Sequence, residues 1–95
     1  MGIEWAPSAD KHGMPHEDAL HAMCHALYVE QAFDAPGPPA TVAPDLYIGP
    51  QRARTALLLE VRVERRRPRG LVVFHVMELR DKYKARWEAS GEVKS

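Results

Sequence analysis

Residues 55–78 read TALLLEVRVE, then RRRPRG, then LVVFHVME, and the fold turns on how the two outer runs pair. Two β-rich segments around a short arginine- and proline-bearing turn form the pattern of a β-hairpin. In the first run Leu57, Leu59, Val61 and Val63 alternate with Leu58, Glu60, Arg62 and Glu64. Alternation of period two puts the first set on one face of a sheet and the charged set on the other. The second run is apolar on both sides except for His75 and Glu78. An even-numbered loop pairs Val63 with Val72, Val61 with Phe74 and Leu59 with Val76. It gives one wholly apolar face and sets His75 opposite Glu60, with Arg62 next along. An odd loop buries His75 among leucines and valines. A one-residue slip moves every side chain to the wrong face, so the even register is expected.

Outward from the hairpin, Leu46-Tyr47-Ile48 is a short strand closed by Gly49-Pro50, and Gln51 to Arg54 is a basic turn leading into the hairpin. Phe33 to Asp45 carries four prolines and a glycine and reads as an extended connector. Glu17 to Val29 has helical periodicity. Leu20, Met23, Cys24 and Leu27 recur at i, i+3, i+4 and i+7, which predicts a buried stripe. Pro15 suits the first turn, and Glu17 and Asp18 lie near the positive end of the helix dipole. Gly2 to Trp5 is a short β-prone start, and Lys11-His12-Gly13 is a turn. Arg80 to Ala89 reads as a short helix that docks Tyr83 and Trp87, spaced i, i+4. The order is strand, helix, three strands, helix. It predicts a single α+β domain over residues 1–95, with a small antiparallel sheet and helices packed on one face.

A chain of 95 residues is one domain with a modest core. No apolar run approaches the roughly 20 residues that span a bilayer, and no basic start leads into an apolar stretch. No membrane partner is therefore expected. The single cysteine, Cys24, cannot form an internal disulfide and reads as a small buried hydrophobe. A cytoplasmic location follows as the default. Net charge is zero, yet the charges are sorted: seven acids and one base up to Ile48, then twelve bases and six acids from Gly49. Such sorting implies either a basic face for a polyanion or two opposite faces that meet each other or a partner.

Short motifs then carry a resemblance. Ile3-Glu4-Trp5, Lys11-His12-Gly13, Glu17-Asp18-Ala19, the Ile48-Gly49 pair before a hairpin and a closing basic helix resemble BrnT-family toxins. That family is similar to RelE toxins in fold. The resemblance implies a RelE/BrnT-like fold, a ribonuclease toxin of a bacterial type II toxin–antitoxin pair, and a cognate antitoxin as partner.

Independently of the resemblance, three groups of residues invite chemistry. His16-Glu17 and His21 evoke a zinc-protease motif, but H-E-D-A-L-H lacks the one-turn spacing that H-E-x-x-H supplies. His21 and His25 are spaced to chelate, yet no third ligand is assured, so neither metal nor cofactor is expected. Arg67 and Arg69 at the hairpin tip, with Arg52, Arg54, Lys82 and Lys84, form a candidate phosphate-contacting surface, and Tyr83 could stack a base. Glu60, Arg62 and His75, with Arg80, form the one constellation suited to acid–base work. Cleavage of RNA by its 2′-hydroxyl needs a base, an acid and a cation at the phosphate. Glu60 or His75 could take the proton, His75 could return one to the leaving oxygen, and Arg62 and Arg80 could hold the phosphate. Two functions stand from these residues: an endoribonuclease, or a non-catalytic module of the same fold that binds RNA or an acidic partner segment.

Overall fold

The computed structural model describes residues 2–33, 43–52, 56–66 and 70–90. Strand β1 (Gly2–Trp5) leads through a single 3₁₀ turn (Pro7–Asp10) to helix α1 (His16–Cys24). Strands β2 (Tyr28–Glu30), β3 (Asp45–Pro50), β4 (Leu58–Arg66) and β5 (Gly70–Glu78) follow, and helix α2 (Asp81–Ala89) comes after them. The five strands form one sheet in the order β1-β5-β4-β3-β2. The β2–β3, β3–β4 and β4–β5 pairs are antiparallel, but β1 lies parallel to β5. The sheet is therefore mixed rather than purely antiparallel. A strand that precedes a crossover helix is free to run either way.

The hairpin forms, with a register that the alternation alone does not give. Near the tip Arg66 pairs with Gly70, Glu64 with Val72 and Val63 with Val73. Beyond a bulge Arg62 pairs with His75, Val61 with Val76 and Leu59 with Glu78. The tip is thus odd-numbered, and Phe74 is the extra residue of β5. One extra residue reverses the inside–outside parity of everything after it. Val73 and Val76 therefore both join Leu59, Val61 and Val63 in the core. Of the other two expected partners, Val72 is buried but pairs with Glu64 outside that cluster, and Phe74 lies against Arg62. The same parity change rescues His75, which shares a face with Glu60 and Arg62 despite the odd tip.

Two cores lie on opposite faces of the sheet. On one, Leu59, Val61, Val63, Val73 and Val76 pack against Ala9, Ala19 and Ala22 beneath the 3₁₀ turn and α1. On the other, Leu46, Ile48, Tyr28 and Phe33 pack with Tyr83 of α2, and Leu58, Leu79 and Trp87 extend the cluster. The helices thus cover both faces, not one. Each fully buried valine or leucine contributes about 1.5–3 kcal/mol relative to exposure.

Helix α1 is shorter than its periodicity predicts and turns a different side inward. Ala19 and Ala22 are fully buried, Cys24 is exposed, and Leu27 is 53 % exposed. The cause is close approach. A Cβ on Gly49 would lie 2.0 Å from the carbonyl oxygen of Ala22, so only small residues fit between α1 and β3. Past Cys24 the chain leaves the helix, and Leu27 donates its N–H to the Ile48 carbonyl at 2.8 Å. Tyr28-Val29-Glu30 then adds a fourth strand after α1, in keeping with the strand preference of aromatic and β-branched residues.

Candidate active site

Strand alternation delivers Glu60 and Arg62 of β4 to the α2 face of the sheet, and the bulge at Phe74 brings His75 of β5 to the same face. The β5–α2 turn then closes over them with Arg80. Glu60 is wholly inaccessible to solvent. Its Oε1 accepts the backbone N–H of Arg80 at 2.8 Å and the Arg80 Nε–H at 3.1 Å. Its Oε2 accepts from Arg80 Nη2 at 2.6 Å and from His75 Nε2 at 2.8 Å. Burial alone would push the Glu60 carboxyl up, but the hydrogen bonds from His75 and Arg80 and the guanidinium charge hold it down to about 2. The same carboxylate raises Arg80 above its ordinary value.

This saturation assigns roles. A carboxylate that is buried, ionised and fully engaged does not take a proton at neutral pH, so the expectation that Glu60 could serve as the base is corrected. Arg80 gives its Nε and Nη2 donors to Glu60, and its side chain keeps 37 % of its surface. Glu60 is an anchor: as an ionised carboxylate it accepts from Nε2–H and so fixes the orientation of the His75 ring. Arg80 Nη2 lies 3.4 Å from His75 Nε2, two donors sharing one acceptor. The His75 side chain keeps 15 % of its surface.

Arg62 is the cation that remains available. Its guanidinium lies 5.4 Å from the Phe33 ring centroid and 5.1 Å from that of Phe74. Its buried Nε has no hydrogen-bond partner among the described residues. Next to it, Phe33, Lys82, Tyr83 and Arg86 line an open cleft of about 280 Å³. Phe33 and Tyr83 meet edge to face at 5.6 Å, and Lys82 Nζ sits 4.9 Å from the Tyr83 centroid. Arg86 is held by Glu30 and by the Phe33 carbonyl. Tyr83 is 6 % exposed and covered by Arg80 and Lys82, so it anchors α2 and offers no open face to a base.

Three cations of the second half of the chain are paired with acids of the first among the described residues. Arg52 pairs with Glu17 at 2.9 Å, Arg65 with Asp45 at 3.1 Å, and Arg86 with Glu30. The sorted charges meet each other across the fold. Among the described residues, Arg62, Lys82 and Lys84 carry no ion pair. Arg54, Arg67 and Arg69 lie outside the described residues. His21 donates to or accepts from no second ligand cluster: its Nδ1 bonds the Pro50 carbonyl at 3.0 Å and its ring rests on His25. No group of three metal-ligating side chains converges among the described residues. No helix there is long and apolar enough to cross a membrane.

Sequence reasoning missed two contributors. The sequence places Phe33 at the start of a connector, and its burial beneath Arg62 and Arg86 has no sequence signal beyond an aromatic beside prolines. Lys11-His12-Gly13 reads as a turn and as one of the motifs of the resemblance, with no role for the imidazole, yet the His12 ring meets His75 edge-on, with centroids 5.6 Å apart. No protein family, curated protein or solved structure matches this chain.

Proposed function

We propose that this protein is an RNA-cleaving toxin of a type II toxin–antitoxin pair, with a RelE/BrnT-like fold and chemistry carried by its side chains. The observation that supports it most is His75 held through Nε2 by buried Glu60, beside Arg62, whose buried Nε has no hydrogen-bond partner among the described residues. In this reading the 2′-hydroxyl attacks the adjacent phosphorus, the 5′ oxygen leaves, and the products are a 2′,3′-cyclic phosphate and a 5′-hydroxyl. His75 gives a proton to the leaving oxygen, with Glu60 as counterion to the protonated ring. Arg62 and Lys82 offset the charge that grows on the phosphate. Arg80 acts through Glu60 as a positioning residue.

The test is RNA cleavage and growth arrest by His75→Ala beside Arg62→Ala, with folding checked by circular dichroism. His75→Ala should lower cleavage by roughly 10²–10⁴-fold, the usual share of general acid–base catalysis. Full activity in a folded His75→Ala variant removes the histidine from the mechanism.

A second reading, a non-catalytic RNA-binding module of the same fold, is favoured by one observation: Arg62 Nε, without a partner among the described residues, calls for an acceptor, not a reaction. Tight RNA binding without cleavage selects it. In either case the cytoplasmic partner proposed is a cognate antitoxin whose acidic or amphipathic segment folds over the Arg62–Lys82–Lys84 face. A small adjacent reading frame whose product binds this protein less tightly as salt rises supports that partner; binding insensitive to salt removes it.

A further inference from the structure

We infer that His12 is the second acid–base group of the site, the base that complements His75. This rests on the RNA-cleavage reading above and adds to it a residue that neither periodicity nor the hairpin pattern singles out.

The backbone explains how a residue so near the start of the chain reaches the far face of the sheet. Pairing of β1 with β5 ends at Trp5 and Val73, and the next amide, that of Ala6, donates to the Val73 carbonyl at 2.9 Å. The rest of β5 then has a bare edge. The 3₁₀ turn folds round it, and Ser8 Oγ caps the Phe74 carbonyl at 2.6 Å, at the bulge itself. Gly13 closes the loop with φ +69°, a left-handed conformation that glycine accepts without penalty, and its N–H returns to the Asp10 carbonyl at 3.0 Å. His12 is thereby set at the edge of β5 beside His75. The two imidazoles meet at 77° with centroids 5.6 Å apart. Only these two histidines meet there: His16 stacks on Trp5 and pairs with Asp10, and His21 rests on His25.

The chemistry requires such a pair. Attack by a 2′-hydroxyl removes a proton at one oxygen and delivers one at another, on opposite sides of the phosphorus. A single imidazole cannot serve both ends of one concerted displacement. Glu60 cannot be the second group, since it is buried, ionised and saturated. His12 is exposed, and no hydrogen bond to either of its nitrogens is formed among the described residues. In the balanced step, neutral His12 takes the proton from O2′ as the O2′–P bond forms. The P–O5′ bond breaks, and protonated His75 supplies a proton to O5′. The charged groups at His75 are Glu60 and Arg80, with Arg62 its cross-strand partner. Asp10 faces His16.

The experiment uses the full chain and two substrates: a short oligoribonucleotide, and a uridine 3′-phosphodiester with a p-nitrophenyl leaving group. The second leaving group departs without a proton, so it needs the base but not the acid. On the oligoribonucleotide, His12→Ala and His75→Ala should each lower kcat by roughly 10²–10⁴-fold with KM little changed. Each should also remove one limb of the pH–rate profile. On the p-nitrophenyl ester His75→Ala should recover most of its rate and His12→Ala should not. A structural role for His12 would move neither the pH limb nor the substrate dependence. Cleavage by the unaltered chain with an unchanged His12→Ala variant overturns this assignment alone. The reverse substrate pattern, with His12→Ala recovering, overturns it in favour of exchanged roles. No cleavage of the oligoribonucleotide by the unaltered chain overturns the ribonuclease reading and this assignment together.

Discussion

Arg80 Nη2 approaches Glu60 Oε2 to 2.6 Å, and the carboxylate that it meets is cut off from solvent altogether. A buried charge without its partner is costly. Replacing Glu60 by Ala leaves the donors of Arg80 and His75 unanswered and should destabilise the protein by about 3–5 kcal/mol. Glu60→Gln keeps the shape and some acceptor capacity, and should cost less. Urea midpoints at pH 7 measure both; a Glu60→Ala variant as stable as the unaltered chain would mean that the array contributes nothing to the fold.

The same pair makes stability depend on acid. The Glu60 carboxyl is held down to about 2 in the folded protein, against an ordinary value of 4.5. A group depressed on folding stabilises the native state at pH above its unfolded value. That contribution is lost as pH falls through 4.5 toward 2. Its full size is on the order of 3 kcal/mol. Unfolding followed between pH 6 and pH 2 should show the loss, and Glu60→Gln should flatten that part of the curve. A curve equally steep in the variant would assign the acid sensitivity to other carboxylates.

Gly49 is required by space. A Cβ there would lie 2.0 Å from the Ala22 carbonyl oxygen, against backbone that cannot rotate aside. Gly49→Ala should destabilise by about 3 kcal/mol, the upper end of ordinary overpacking. Gly2→Ala, where an added Cβ meets nothing within 4 Å, is the control. Equal thermal midpoints for the two variants would contradict the close approach of α1 to β3.

RNA binding should separate two kinds of cation. Lys82 carries no ion pair among the described residues, so Lys82→Ala should weaken binding and reduce the salt slope by roughly 0.7, the value for one single-strand phosphate contact. Arg52 already serves Glu17, and Arg52→Ala should change affinity far less. Filter binding over a range of salt concentrations checks both, and identical slopes would deny a phosphate contact at Lys82.

The hairpin and the closing helix were legible because each follows from local pattern: period two, or i, i+4 spacing. Glu60 and His75 were expected directly opposite each other; Glu60 instead pairs with Met77 and His75 with Arg62, and the two side chains meet on one face only because of the bulge. The register was not legible. A bulge at Phe74 leaves the composition of β5 unchanged, since four consecutive apolar residues, Leu71 to Phe74, suit either parity. The inward face of α1 was not legible either. Leu20, Met23 and Leu27 form the more hydrophobic stripe, but the distance to β3 at Gly49 selects Ala19 and Ala22. The contact of His12 with His75 depends on the chain rounding a sheet edge, which no residue pattern encodes. The sorted charges indicated a basic face or mutual neutralisation, and Glu17–Arg52, Asp45–Arg65 and Glu30–Arg86 are three places where the two halves neutralise each other.

The parallel strand β1 also sets an order of events. Ser8 and Phe74, which hydrogen-bond where β1 gives way to the 3₁₀ turn, stand 66 positions apart in the chain. On a ribosome the first strand therefore waits for β5 to emerge before it has anything to pair with. The β3–β4–β5 meander, joined by shorter connections, can close first. Late pairing across a long loop contributes little to the folding transition state and much to the barrier against unfolding. Weakening β1, for instance with Ile3→Gly, should accordingly leave the refolding rate nearly unchanged and speed unfolding, so that the first segment to join the sheet in sequence is the last to join it in time and the first to leave.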